Sequence, residues 1–253
     1  MRKKIAAGNW KMNLLVDEAT SLASAITEWY SKQYQGEAEV ILAVPAPYLS
    51  LVHAIIGGHK GIYLAGQNVH QEASGAYTGE NSAAMIAGVG ATHCLVGHSE
   101  RRQYFGEDNA LLAKKIDRLL ATGLVPIYCI GESLQQREAG QTLEVIRSQL
   151  SEGAFHLPAD AFGQLIVAYE PVWAIGTGVT ATPEQAQEVH AYIRSLIEGQ
   201  YGPSVAANTS VLYGGSVKPA NAAALFAQPD IDGGLVGGAS LKAPDFIQII
   251  QAL

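Results

Sequence analysis

Apolar and polar positions along the chain switch between two periods. Short continuous apolar runs recur at residues 4–9, 40–44, 62–65, 93–96, 125–130, 165–167, 210–213 and 234–236. Each is too short for a helix, and unbroken rather than alternating apolar character is what a strand buried on both faces requires. Between these runs the spacing becomes helical. Ala19, Leu22, Ala23 and Ile26 keep one face after Val16, as do Leu111, Leu112, Ile116, Leu119 and Leu120, and later Ala186, Val189, Ile193 and Ile197. Lys115 falls inside the second stripe, where its aliphatic stem is expected to cover the edge. Shorter helices are expected at about 49–56, 82–87, 142–151 and 221–227, and a last one opens at Pro244 with Phe246, Ile249, Ile250 and Leu253. The punctuation agrees: Thr182, Pro183 and Gln185 read as a capping box, and Gly123 stands where a helix should stop. About eight strand–helix units of roughly 30 residues follow one another without a linker or charge block. That regularity predicts an α/β protein, a closed (β/α)8 barrel forming a single domain over 1–253, rather than an open doubly wound sheet.

Composition narrows what such a barrel could do. Of 253 residues, 48% are apolar and 15% charged, enough for an ample core. A formal charge of -7 argues against broad binding to nucleic acid or an anionic membrane, but leaves room for a small anionic substrate at a locally positive site. The basic start, Met1 to Ile5, resembles the head of a signal peptide, yet Asn9, Trp10 and Lys11 break the apolar segment at once. No apolar run approaches the ~20 residues that span a bilayer. Cys94 and Cys129 lie in strand-like runs and read as buried free thiols of a reducing cytosol.

The unusual residues collect just after the predicted strands, where active sites of such barrels sit. Glu170 ends the sixth strand, and Pro171 keeps it out of the α region. An apolar tip, Val172 to Ile175, and two glycines, Gly176 and Gly178, follow; a carboxylate beneath a glycine-flanked loop reads as a base under a lid. Lys11 follows the first strand and reads either as a solvated lysine or as an anchor for an anion. His98 follows Gly97 at the end of the fourth strand, where a helical turn can begin. The positive end of that turn would oppose protonation and leave a neutral imidazole donating through N–H. Glu100 is open between a structural partner of Arg101 or Arg102 and a second proton acceptor. Gly214-Gly215-Ser216 and Gly237-Gly238 follow strands seven and eight, the usual phosphate site of this fold. The chain lacks the lysine-containing phosphate loop of nucleotide hydrolases, which argues against nucleotide hydrolysis, and His53, His59 and His70 lack metal-ligand spacing, so no metal is expected.

Six segments in order resemble the triosephosphate isomerase family over almost the whole chain. They are residues 8–13 (GNWKMN), 97–102 (GHSERR), 129–132 (CIGE), 168–178 (AYEPVWAIGTG), 213–216 (YGGS) and 237–241 (GGASL). The resemblance implies a TIM barrel that interconverts dihydroxyacetone phosphate and D-glyceraldehyde 3-phosphate without cofactor, in glycolysis and gluconeogenesis. Glu170 would shuttle the proton, neutral His98 would polarise the carbonyl, and Lys11 with Asn9 would stabilise the enediolate. Gly176, Ser216, Gly237 and Gly238 would hold the phosphate. It further implies a cytoplasmic homodimer whose polar segment 67–81, with Tyr77, inserts into the neighbouring subunit; Asn81 departs from the family's usual residue there. Two other readings stay open: a phosphosugar lyase or aldolase with Lys11 as a Schiff base, and a phosphate-binding barrel without catalysis.

Overall fold

Strands β1 (Ile5–Asn9), β2 (Glu39–Ala43), β3 (Ile62–Gly66), β4 (His93–Val96), β5 (Val125–Ile130), β6 (Ile166–Tyr169), β7 (Val211–Tyr213) and β8 (Gly233–Val236) each pair in parallel with the next. The sheet closes where β8 returns to β1, with Ile5 in register with Glu39 on one side and Gly233 on the other. This computed structural model describes residues 2–176 and 180–253; Met1 and the far end of the predicted lid, Thr177 and Gly178, lie outside them.

Closure explains the unbroken apolar runs. Alternate strand residues, among them Ile5, Ala7, Ile41, Leu95, Ile127, Ala168 and Leu212, fill the barrel interior as one cluster. Their neighbours, among them Ala6, Val40, Leu42, Val96 and Val167, pack outward under the helices as a second. Both faces are covered along most of each strand, so polar positions are confined to a few places such as Asn9, Glu39 and His93. The predicted stripes face inward on the helices Val16–Gln33, Asn109–Ala121 and Pro183–Tyr201. The capping box at Thr182 is formed: its hydroxyl accepts the Gln185 N–H at 3.2 Å and Gln185 Oε1 accepts the Thr182 N–H at 3.0 Å.

Four helices of this barrel, Ser99–Phe105, Leu134–Glu138, Ala159–Phe162 and Pro203–Asn208, are too short for periodicity to mark their extent. Lys115 differs from expectation. Its ammonium does not reach water but is buried with the stem, because Glu107 Oε1 (2.6 Å) and Asn68 Oδ1 (2.8 Å) accept its protons. In the segment 67–81 the His70 and Tyr77 rings pack at a tilt with centroids 4.1 Å apart, and the His70 backbone N–H donates to the Asn81 carbonyl. The helix Ala83–Gly88 then begins with Ser82 as its cap. Cys94 and Cys129 are fully buried free thiols, and burial pushes the Cys94 thiol up to about 12. Among the described residues no helix is long and apolar enough to cross a membrane.

Candidate active site

The C-terminal ends of the strands surround a cavity of about 610 Å³, lined by Asn9, Lys11, His98, Glu170, Gly176, Ser216, Gly237 and Gly238. Eight of the nine residues singled out in the sequence therefore share one space; Glu100 stands outside its lining. Glu170 comes directly after β6, and its N–H donates to the Ile130 carbonyl at 2.7 Å, which carries the β5–β6 ladder one residue further. Only 2% exposed, its carboxylate accepts the Ser99 N–H at 2.8 Å and faces His98 Nε2 at 3.0 Å. Burial by itself would raise this carboxyl; His98, the Ser99 N–H and Lys11 outweigh it and hold Glu170 below the ordinary carboxylate range. A side chain on Gly214 would come within 2.8 Å of the Glu170 Cγ, so glycine there makes room for the acid.

His98 caps the helix Ser99–Phe105, and its Nδ1 accepts the Glu100 N–H at 3.3 Å. An accepting Nδ1 puts the ring proton of a neutral imidazole on Nε2, the nitrogen aimed at Glu170. Burial opposes charge on the ring, but the Glu170 carboxylate beside it prevails and raises the imidazole above its ordinary value. The lowering expected from the helix end is thus overridden while the two side chains remain in contact.

Lys11 occupies the left-handed region at φ 53°, a conformation costing a lysine on the order of 1 kcal/mol. Neighbours hold it there: Asn9 Oδ1 accepts the Lys11 N–H at 3.0 Å, and Gln67 Nε2 donates to the Lys11 carbonyl at 2.9 Å and to the Ala43 carbonyl at 3.1 Å. The ammonium then meets Glu100 Oε1 at 2.5 Å. Glu100 thus pairs with neither Arg101 nor Arg102, which bond to Glu107 and to the Gly97 carbonyl. At the opposite end, the Ser216 N–H donates to the Ala174 carbonyl at 3.2 Å, joining the loop after β7 to the segment after β6. Gly237 opens a 3-10 turn, Gly238–Leu241, closed by the Ser240 hydroxyl on the Gly237 carbonyl at 2.7 Å.

Two supporting residues escaped the sequence reading. Gln67 was visible only as the first residue of a polar segment. Glu132 was visible inside a motif, although its signal, a lone acid after an apolar strand, is the one that marked Glu170. The indole Nε1 of Trp173 (2.8 Å) and the Tyr169 hydroxyl (3.1 Å) both donate to the Glu132 carboxylate, tying the end of β6 and the turn after it to the end of β5.

The profile of a protein family described as triosephosphate isomerase matches residues 4–253. The chain is 49% identical to a protein named triosephosphate isomerase from Cytophaga hutchinsonii, over 100% of both chains. It is 50% identical to one of that name from Bacteroides fragilis, covering 100% of this chain and 99% of the relative. For one from Prosthecochloris aestuarii the identity is 52%, with 100% and 98% covered.

Proposed function

The chain belongs to the triosephosphate isomerase family, which interconverts dihydroxyacetone phosphate and D-glyceraldehyde 3-phosphate in glycolysis, and we propose that Glu170, His98 and Lys11 carry that reaction here. The observation that carries the assignment is that base, N–H donor and cation open into the same cavity as the glycine loops. Glu170 takes the proton from the carbon beside the carbonyl and returns it to the neighbouring carbon. The Nε2–H of His98 donates to the substrate oxygen on which negative charge develops, and the Lys11 ammonium and Asn9 amide stabilise the enediolate. Gly176, Ser216, Gly237 and Gly238 hold the phosphate through backbone and hydroxyl donors.

In this arrangement the base is held back, since the Ser99 N–H and His98 both stabilise the carboxylate. Substrate must draw Glu170 away from them. That step frees Nε2–H for the substrate oxygen, and removes the carboxylate that favours an imidazolium. Binding energy from the phosphate, together with closure of the segment that begins at Pro171, is the source of the work. Glu100, ion-paired to Lys11, fixes the ammonium in place. A coupled assay should detect conversion of dihydroxyacetone phosphate, and Glu170→Gln should cut turnover at least ~100-fold while still binding inorganic phosphate; near-parental turnover would refute the assignment. Borohydride with substrate should trap no adduct on Lys11, whereas a Schiff-base lyase would be trapped.

We further infer a homodimer of the cytoplasm. Met12, Leu15, Val16, Tyr77 and Met85 are large apolar side chains left exposed on the segments around 12–16 and 77–85, and a second copy would cover them. Thr78→Arg should shift sedimentation from dimer toward monomer; an unchanged dimer would count against this interface.

A further inference from the structure

We propose that Gln149 is a positioning residue for the isomerisation: its side-chain amide fixes the Gly131 peptide that backs Glu170, and so sets where the base stands. Gln149 lies on the helix Thr142–Gly153, outside the barrel, and does not line the substrate cavity. Its Oε1 accepts the Gly131 N–H at 2.7 Å, and its Nε2 donates to the Gly131 carbonyl at 3.1 Å. Both polar groups of one residue are thus taken by one side chain, the service a neighbouring strand would otherwise provide.

Gly131, the residue after β5, lies directly against the main chain of the base. A Cβ built on it would stand 1.7 Å from the Glu170 carbonyl oxygen, so the two backbones touch with no side chain between them. On either side, the Glu170 N–H donates to the Ile130 carbonyl at 2.7 Å and the Val172 N–H to the Glu132 carbonyl at 3.1 Å. The backbone of Glu170 therefore rests on residues 130–132, and Gln149 clamps the middle of that rest from the far side.

The clamp belongs to a frame that also carries His98. The Gln149 carbonyl accepts the Tyr128 hydroxyl at 2.7 Å. Arg102 donates to the Cys129 carbonyl at 3.1 Å and to the carbonyl of Gly97, the residue before His98, at 2.9 Å. Acid and base are thereby referred to one set of backbone groups behind β4 and β5. Displacing a reacting group by about 1 Å can cost roughly 100-fold in rate, whereas three of the four residues of the phosphate grip, Ser216, Gly237 and Gly238, sit on the loops after β7 and β8, away from residues 130–132.

The inference rests on Glu170 being the base, and two variants of the full chain test it beside Glu170→Gln. In Gln149→Leu the clamp is gone: kcat should fall at least about 10-fold, with KM for glyceraldehyde 3-phosphate and inhibition by inorganic phosphate held within about twofold. In Gln149→Glu the acceptor for the Gly131 N–H remains, but the introduced carboxyl donates to the Gly131 carbonyl only when protonated. Its kcat should fall as pH rises through that titration, a limb absent from the parent, and this variant decides the matter if Gln149→Leu does not fold. Parental kcat with only a lower melting temperature would make Gln149 a structural anchor and overturn the proposal. So would a loss that appears equally in KM and in phosphate inhibition. If Glu170→Gln is inactive while the Gln149 variants are parental, this inference alone fails; if Glu170→Gln is active, the catalytic assignment fails first.

Discussion

Glu132 and Glu170 stand just beyond the ends of adjacent strands, β5 and β6, and both are almost wholly buried, at 0% and 2% exposed. Their surroundings differ. The Glu132 carboxylate receives the Tyr169 hydroxyl at 3.1 Å, the Trp173 indole at 2.8 Å and an Arg137 guanidinium nitrogen at 3.3 Å, donors from three directions that leave no room for a substrate. Glu170 receives one backbone N–H and one imidazole, and looks into the cavity. Burial alone therefore does not make a base. A carboxylate saturated by fixed donors is a structural pin, whereas one with few, releasable donors beside an open space can take up a proton.

Substituting the two acids should separate these roles. Glu170→Gln should lose at least ~100-fold in turnover with only a small loss in urea unfolding, because it strands fewer fixed donors than Glu132→Gln does. Glu132→Gln should do the reverse, losing about 2 kcal/mol in urea unfolding with a fall in kcat of less than about 10-fold. A catalytic loss as large as that of Glu170→Gln would erase the distinction.

Acid should act on the two regions differently. Glu170 is held below the ordinary carboxylate range, so the acid limb of kcat/KM in the free enzyme should lie below that range as well. The stability it contributes is present above the unfolded pKa and is lost as pH falls through the lower folded value. On the structural side, His190 packs against Tyr169, the donor to Glu132, with ring centroids 5.8 Å apart, and burial pushes its pKa down to about 3. Here the folded chain keeps the ring neutral while the unfolded chain takes a proton below about pH 6.5. His190 should then contribute a fall of about 1.4 kcal/mol per pH unit from there towards pH 3, a contribution that His190→Gln should remove in urea titrations while that of His93, pushed down to about 4 by burial, stays. The smallest effect is expected from Tyr169→Phe, which takes one donor from Glu132 and should cost about 1 kcal/mol; a loss approaching that of Glu132→Gln would mean that Trp173 and Arg137 do not share the load.

The strand runs, the helical stripes and the Thr182 cap are local, and the chain states them openly: a strand buried on both faces must be apolar throughout, and a helix needs its donors capped. Glu170 and the glycine pairs were legible for the same reason, each sitting at a break in a local pattern. Lys115 misled because its neighbours Glu107 and Asn68 arrive from elsewhere in the barrel, and a lysine with two buried acceptors has no need of water.

By itself, then, the sequence determined the eight units, their order and the residue types at each strand end. Only the tertiary structure decided that Glu100 would meet Lys11 rather than an arginine, that Ser99 and His98 would receive Glu170, and that Gln149 would reach around to Gly131. Those pairings join different segments of the chain, and the closed barrel brings the ends of β1, β4 and β6 to one rim. Periodicity records which face of an element is buried; it carries no information about what that face will touch.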